Sequence, residues 1–525
     1  MRLAKPLYPL ICLALLAAWS AAAVSFFYSK GELFAYGDAE AHLNMARRVF
    51  DSRTPGYDQI GRIWLPLPHL LMLPLARIDS LWHSGLAGSL PSAACFVAAG
   101  AFLFGATAGI FDSVAAAATS AAVFAANPNL LYLQSTAMTE PVFAACLMAL
   151  LFFSVRFRRT QSWLCAAAAG AAAALGALSR YEGWFVIPFA AAYFLWAARN
   201  KRLVFAALFS AIAVLGPALW LAHNWWLTGD PLDFFRGPNS PAAIQGGASY
   251  PGHGNWRMAF LYFRTAAALC AGPALGWIGL AGALAALLKR AFWPLLLLAL
   301  PGVFYIWSMH SAATPIFVPT LWPNSYYNTR YGLAVLPLLA LAAGALVALA
   351  PVRVQTWVAV IVIAASITPW LIPPSRGRWV VWQEAQINSQ GRREWTREAA
   401  GYLRSRYVPG GGIITSFGDL TGIFRAMDLP LRETFTADNG LPWQATIRRP
   451  DLFLWQEWAV VMGGDPVQTA LNRAGRYGIR YRLEKMIVAG RDPVIEIYRR
   501  IGGPRVSISE PEPAGSEPPE SPEPQ

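Results

Sequence analysis

Apolar runs of Ala, Leu, Val and Phe recur along this chain with almost no Asp, Glu, Lys or Arg inside them. Each is roughly 17–22 residues long, the length at which a helix rising about 1.5 Å per residue crosses a hydrocarbon core. Lipid imposes the helix, because it offers no water to satisfy an open backbone. The pattern predicts about eleven spans, near residues 7–27, 90–110, 113–126, 137–155, 163–179, 183–198, 203–222, 268–288, 292–309, 332–350 and 355–372. Residues 63–78 are apolar too, but Pro66, Pro68, Pro74 and His69 interrupt them, which predicts a re-entrant or interfacial piece.

From about Ser375 charges become frequent and the apolar period shortens. Residues 391–405 read as an amphipathic helix, 412–417 and 458–462 as buried strands, and Asp465 as the cap of a helix running through Ala474. Residues 481–488 and 493–498 read as a hairpin around a Gly-Arg-Asp turn. The expected fold class is a polytopic α-helical membrane protein with a C-terminal soluble α/β domain. The expected division is a transmembrane region at 1–373, an extracytoplasmic domain at 374–504, and a disordered Pro/Glu-rich tail at 505–525. No internal repeat is visible.

Charge adds a direction. Arg2 and Lys5, the Arg156/Arg158/Arg159 and Arg199/Lys201/Arg202 groups, Lys289/Arg290 and Arg353 fall in one set of short alternate loops. The positive-inside rule puts those loops and the N-terminus in the cytoplasm, and the domain after the last span outside. In a bacterial cell this is the inner membrane. Met1–Ala23 also has the outline of a signal peptide, although its apolar stretch is long for one. The formal net charge of +13 is mostly accounted for by these loops, and no basic patch with interleaved aromatics points to nucleic acid. Apolar residues make up 56 % of the chain and charged ones 14 %, against roughly 25 % charged in soluble domains. All five cysteines fall in predicted spans, so they read as small buried apolar residues and say nothing of redox compartment.

Ionisable residues against a bilayer are costly, which makes their positions informative. Asp38, Glu40 and His42 lie in YGDAEAH after the first span, and Glu140 lies in TEP at the outer start of the fourth. Arg180, Tyr181 and Glu182 form the next outer turn, and Arg330 ends the NSYYNTR stretch before the tenth span. Together they predict a cavity at the outer face. Carboxylates there can deprotonate a nucleophile or hold a divalent metal, and arginines can hold a phosphate through two hydrogen bonds. Structural readings stand beside these. Asp38 caps a helix over 39–50, Glu140 answers a helix dipole, Arg180 pairs with Glu182, and Arg330 anchors at the interface beside Tyr326, Tyr327 and Tyr331. The candidate catalytic residues are Asp38, Glu40 and Glu140. The candidate substrate-binding residues are Arg180, Tyr181, Glu182, Arg330 and His42, with Asp38 and Glu140 as ligands if a metal is used.

These residues carry a resemblance to the GT-C superfamily of membrane glycosyltransferases, the class containing protein O-mannosyltransferases, the lipid A aminoarabinose transferase and the oligosaccharyltransferase catalytic subunit. The likeness rests on the first-loop acids Asp38 and Glu40, the TEP acid Glu140, the R-x-E turn of Arg180 and Glu182, and a soluble outer domain placed last. It covers roughly residues 7–372. The resemblance implies an inverting transfer of sugar from a polyprenyl-phosphate carrier to a lipid, glycan or protein acceptor outside the cytoplasm. It implies Asp38 as general base, Glu140 orienting the acceptor or a metal (Mg or Mn), and Arg180 or Arg330 on the donor phosphate. The first-loop motif is D-x-E where the mannosyltransferases have adjacent Asp-Glu, and no WWDYG-type motif occurs in the terminal domain. The latter argues against N-linked oligosaccharide transfer. The membrane lipids and the donor are the partners implied; oligomeric state is open. The alternative is a transporter or flippase for a glycolipid, without catalysis. Transporters tend to place ionisable residues near the midplane on broken helices in two related halves, and these acids cluster at the outer edge.

Overall fold

In a computed structural model the described residues are 7–238, 240–247, 249–312, 314–371, 379–416, 418–490 and 493–502. Among them, six helices are long and apolar enough to cross a membrane: Leu7–Ser29, Leu86–Phe111, Glu140–Thr160, Arg202–Thr228, Phe292–Ser311 and Thr329–Leu349. Two bent pairs, Val114–Ala125 with Pro128–Gln134 and Trp256–Ala271 with Pro273–Leu288, bring the number to eight if each is one span. The expected spans at 163–179, 183–198 and 355–372 are the shorter apolar helices Trp163–Ala177, Glu182–Ala197 and Gln355–Leu371. The 63–78 segment forms the helix Leu67–Ala76. At ten residues it spans about 15 Å, half of a hydrocarbon core. The chain is a multi-pass membrane protein.

Small residues let these helices approach closely. A Cβ added at Gly282 would sit 2.0 Å from the Ala342 carbonyl oxygen, and one at Gly344 would sit 2.2 Å from Ser120 Oγ. Such contacts supply the packing that lipid cannot drive by hydrophobicity. The two breaks satisfy each other. Asn127 accepts from the amides of Asn129 and Leu130, restarting the helix at Pro128. Asn127 and Asn129 both donate to the Cys270 carbonyl, at 2.9 and 3.0 Å, where the other pair turns at Gly272 and Pro273. Side chains thus replace the helical hydrogen bonds lost at both bends.

The C-terminal region forms a five-stranded sheet in the order β2-β1-β3-β5-β4, with β1 Ile413–Ile414, β2 Thr434–Phe435, β3 Trp458–Met462, β4 Arg480–Ile487 and β5 Ile495–Gly502. β1 runs parallel to β2 and β3, whereas β5 is antiparallel to both β3 and β4. Alternate residues of β3 bury on opposite faces. Trp458 and Val460 pack with the Gln390–Arg404 helix residues Trp395, Ala399 and Leu403, while Ala459 and Val461 pack with Val467 and Leu471 of the Pro466–Gly475 helix. Asp465 caps that helix by accepting from the Gln468 amide at 2.8 Å, as its position before the apolar stripe predicts. Strand 412–417 is shorter than expected, since only Ile413 and Ile414 pair, and Phe417 lies outside the described residues. The expected boundary at 373/374 and the tail from 505 also lie outside them.

The sheet region sits on the segment after the first helix through polar contacts. Arg425 pairs with Glu40 at 2.9 Å, Asn44 donates to Thr421 at 2.9 Å, and Arg48 pairs with Asp438 at 2.8 Å. Asp51 accepts from the amides of Leu431 and Arg432 and pairs with Arg432. The helix Gly37–Arg48 is therefore held between the sheet region and the spans.

Candidate active site

Asp38 is the second residue of the Gly37–Arg48 helix. The residue before that helix is Tyr36, with extended backbone and no side-chain cap, so the capping role expected of Asp38 is not found. Its carboxylate instead reaches across to Arg330 Nη2 at 2.5 Å, a contact 292 residues away in sequence. Arg330 lies in the 3-10 turn Thr329–Val335 that leads into the Leu336–Leu349 helix. Its guanidinium lies over the Tyr36 ring at 4.9 Å and the Tyr331 ring at 5.3 Å.

Glu140 opens the Glu140–Thr160 helix, where the dipole favours a carboxylate. Its Oε1 accepts from Arg330 Nε and pairs with Arg180 Nη1, both at 3.1 Å. Arg180 has a partner at each nitrogen: Nε meets Glu182 Oε1 at 2.6 Å, Nη1 donates to Thr139 at 2.6 Å, and Nη2 donates to the Tyr305 hydroxyl at 2.7 Å. Tyr305 in turn donates to Glu182 at 2.6 Å. The turn is held tight at Gly183, where an added Cβ would sit 2.6 Å from the Gly176 carbonyl. Glu384, on the Val380–Asn388 helix, closes the network from behind, with its Oε1 3.9 Å from Arg330 Nη1.

Exposure separates these acids. The Asp38 side chain is 41 % exposed, whereas Glu140, Glu182 and Glu384 are at 13 %, 4 % and 2 %. Burial opposes ionisation of Asp38, but the adjacent Arg330 outweighs it and holds the carboxyl below its ordinary value. For Glu384 burial wins over Arg330 and the Thr329 amide, and its carboxyl is pushed up. Beside the arginines lies a narrow cleft, with about 50 Å³ of enclosed space. Glu140, Arg180 and Arg330 form its polar end, and Phe143, Leu147 and Leu336 belong to its apolar wall.

The network brings together Asp38, Glu140, Arg180, Glu182 and Arg330. Glu40, expected as a catalytic residue, lies elsewhere: it is buried against Arg425 and faces the sheet region. Two positions along a helix turn through about 200°, so Asp38 and Glu40 cannot face one cavity. Tyr181 also lies outside, donating to the Ile63 carbonyl at 2.6 Å and stacking on Phe234. His42, four residues after Asp38, bonds to His69 at 2.8 Å beside Trp64. Burial pushes its pKa down to about 4, so it is neutral at pH 7. Tyr36, Thr139, Tyr305 and Glu384 were not singled out by the sequence pattern; Glu384 alone carried a signal, an acid between apolar residues in VVWQEA.

The donor set does not fit a divalent metal. Asp38 and Glu140 both face the Arg330 guanidinium, which occupies the position a shared cation would need. Among the described residues no group of three His, Cys, Asp or Glu is placed to hold an ion.

Comparisons with known proteins place this membrane bundle among the GT-C folds. Residues 79–226 match the family model of dolichyl-phosphate-mannose-protein mannosyltransferase. The structure is similar to ArnT from Cupriavidus metallidurans bound to undecaprenyl phosphate, with TM-score 0.58 and 14 % identity over 92 % of this chain and 97 % of that one. The apo state of the same protein matches with TM-score 0.53 and 14 % identity, over 87 % and 93 %. An Archaeoglobus fulgidus oligosaccharyltransferase matches with TM-score 0.47 and 14 % identity, over 91 % and 69 %. No curated protein matches by sequence. The chain has the GT-C fold, and the proteins it resembles are glycosyltransferases.

Proposed function

We propose that the protein transfers a sugar from a polyprenyl-phosphate-linked donor to an acceptor hydroxyl on the extracytoplasmic face, with Asp38 as general base. The observation that carries this reading is that Asp38 is the one exposed acid of the network and is joined through Arg330 to the polar end of an apolar cleft. The cleft suits a lipid phosphate, with the phosphate at the arginines and the first isoprene units along the apolar wall. The undecaprenyl phosphate bound by ArnT supports the same donor class.

The step is a displacement. The acceptor oxygen bonds to the anomeric carbon as its proton passes to Asp38, and the bond from that carbon to the phosphate oxygen breaks. Attack from the side opposite the leaving group inverts the centre. The leaving polyprenyl phosphate takes the electron pair and gains one negative charge beside Arg330. Stabilisation of charge that develops only during reaction is what lowers a barrier. When phosphate engages Arg330, Asp38 loses part of its neutralising partner and becomes the stronger base. Glu140 and Glu182 hold the two arginines in place. With no fitting metal site, transfer is expected to persist in excess EDTA; a loss restored by Mg or Mn would refute this.

With the orientation read from the basic loops of the sequence, this site faces outward and the N-terminus lies in the cytoplasm. Protease added to intact cells lacking an outer membrane is expected to cut within 391–500. Protection of that region, with cleavage only after lysis, would reverse the orientation and the reading with it. Activity itself is tested by sugar transfer from a polyprenyl-phosphate donor in proteoliposomes, where failure with every donor sugar and hydroxyl acceptor tried would count against the proposal.

A further inference from the structure

Glu384 is a buried acid that the displacement above does not use. Its Oε2 accepts from the Thr329 amide at 3.0 Å, one residue before Arg330. Its helix is pinned on several sides. Tyr36 donates to the Val381 carbonyl at 3.1 Å, the Val381 amide donates to Asn129 at 3.0 Å, and Asn388 donates to the Tyr326 carbonyl at 3.0 Å. The carboxyl group is therefore fixed in place behind the guanidinium.

The edges of Arg330 are not equally engaged. Nε donates to Glu140 and Nη2 to Asp38, both within hydrogen-bond distance. Among the described residues Nη1 has only Glu384 Oε1, at 3.9 Å, beyond a hydrogen bond but within the range of a charge interaction. Among the described residues that edge of Arg330 is the one without a hydrogen bond. Resting on the donor reading above, we propose that Glu384 is a positioning residue that competes with the lipid phosphate for the Nη1 edge of Arg330. It holds the guanidinium ready through Thr329 and opposes over-tight binding of the phosphate. The opposition is greatest for the product, because the freed polyprenyl phosphate carries more charge than the diester donor. Glu384 thus favours product release, the step that limits many enzymes.

Binding of polyprenyl phosphate to the full-length protein in nanodiscs tests this, with polyprenol as the uncharged control. Glu384→Gln keeps an acceptor for the Thr329 amide and removes the charge. It is expected to bind polyprenyl phosphate about tenfold more tightly, with polyprenol binding unchanged. Its steady-state turnover falls while transfer in a single turnover is retained. Glu384→Asp keeps the charge and is expected to bind like wild type. A residue needed only for folding would give weaker or unchanged binding in Glu384→Gln, and that result overturns the inference while leaving the donor reading in place. Wild type that does not bind polyprenyl phosphate at all overturns both.

Discussion

Replacing Asp38 with Asn is expected to lower kcat for sugar transfer by roughly a hundred- to ten-thousandfold, the range of a general base. The donor KM is expected to move much less, because Asn keeps the size of the side chain and the proposed phosphate partner, Arg330, is unchanged. The fold is expected to survive, since Arg330 retains Glu140 and Glu384 around it and the Asp38 side chain is partly in solvent. Kinetics beside a melting curve separate the two effects. A lowered carboxyl pKa has a defined sign: Asp38 stays ionised as the pH falls through the ordinary carboxylate range, and its base form is lost only below it. The acid limb of kcat/KM for wild type therefore lies below about pH 4.

The second large effect belongs to Arg330. Lys at this position keeps one charge but lacks the planar fork that reaches Asp38, Glu140 and Glu384 at once. Arg330→Lys is expected to cost roughly a hundredfold or more in kcat, as loss of a group that stabilises developing charge does. Arg330→Met is harsher, because it leaves buried Glu384 without its cation and Glu140 with Arg180 alone. Breaking a buried pair in this way costs about 3–5 kcal/mol, enough to lower the melting temperature markedly. A Met variant that melts like wild type would show that the network is not what holds these acids.

Much of the architecture was legible for one reason: lipid forbids unsatisfied backbone, so each span must declare itself as a run of apolar residues. Of the two bent pairs only Val114–Ala125 and Pro273–Leu288 lie wholly within expected spans, and the bends were not read, because their compensation comes from Asn127 and Asn129 meeting a carbonyl about 140 residues away. In the sheet region, the strand and cap at 458–466 were local and readable. The two-residue strand β2 was not, since its pairing with β1 is set by tertiary packing rather than by a periodic pattern.

Among the site residues the same divide holds. Clustering of acids and arginines near one membrane face was visible in the sequence. Which of them meet was not, because the Asp38–Arg330 contact joins the first outer loop to the tenth predicted span. Helical geometry already spoke against grouping Glu40 with Asp38, and the partner that takes Glu40 instead, Arg425, lies in a region read only as an outer domain. Glu384 was passed over because the segment after the last span looked like the start of that domain, whereas it folds back against the membrane region.

The central claim is that sugar leaves a polyprenyl phosphate at this acid–arginine network. It is tested most directly by single-turnover transfer from a labelled polyprenyl-phosphate sugar in proteoliposomes, comparing wild type with Asp38→Asn and Glu140→Gln. The account predicts transfer with inverted anomeric configuration by wild type, loss of at least a hundredfold in Asp38→Asn, and a clear loss in Glu140→Gln. Full activity in both variants would contradict it.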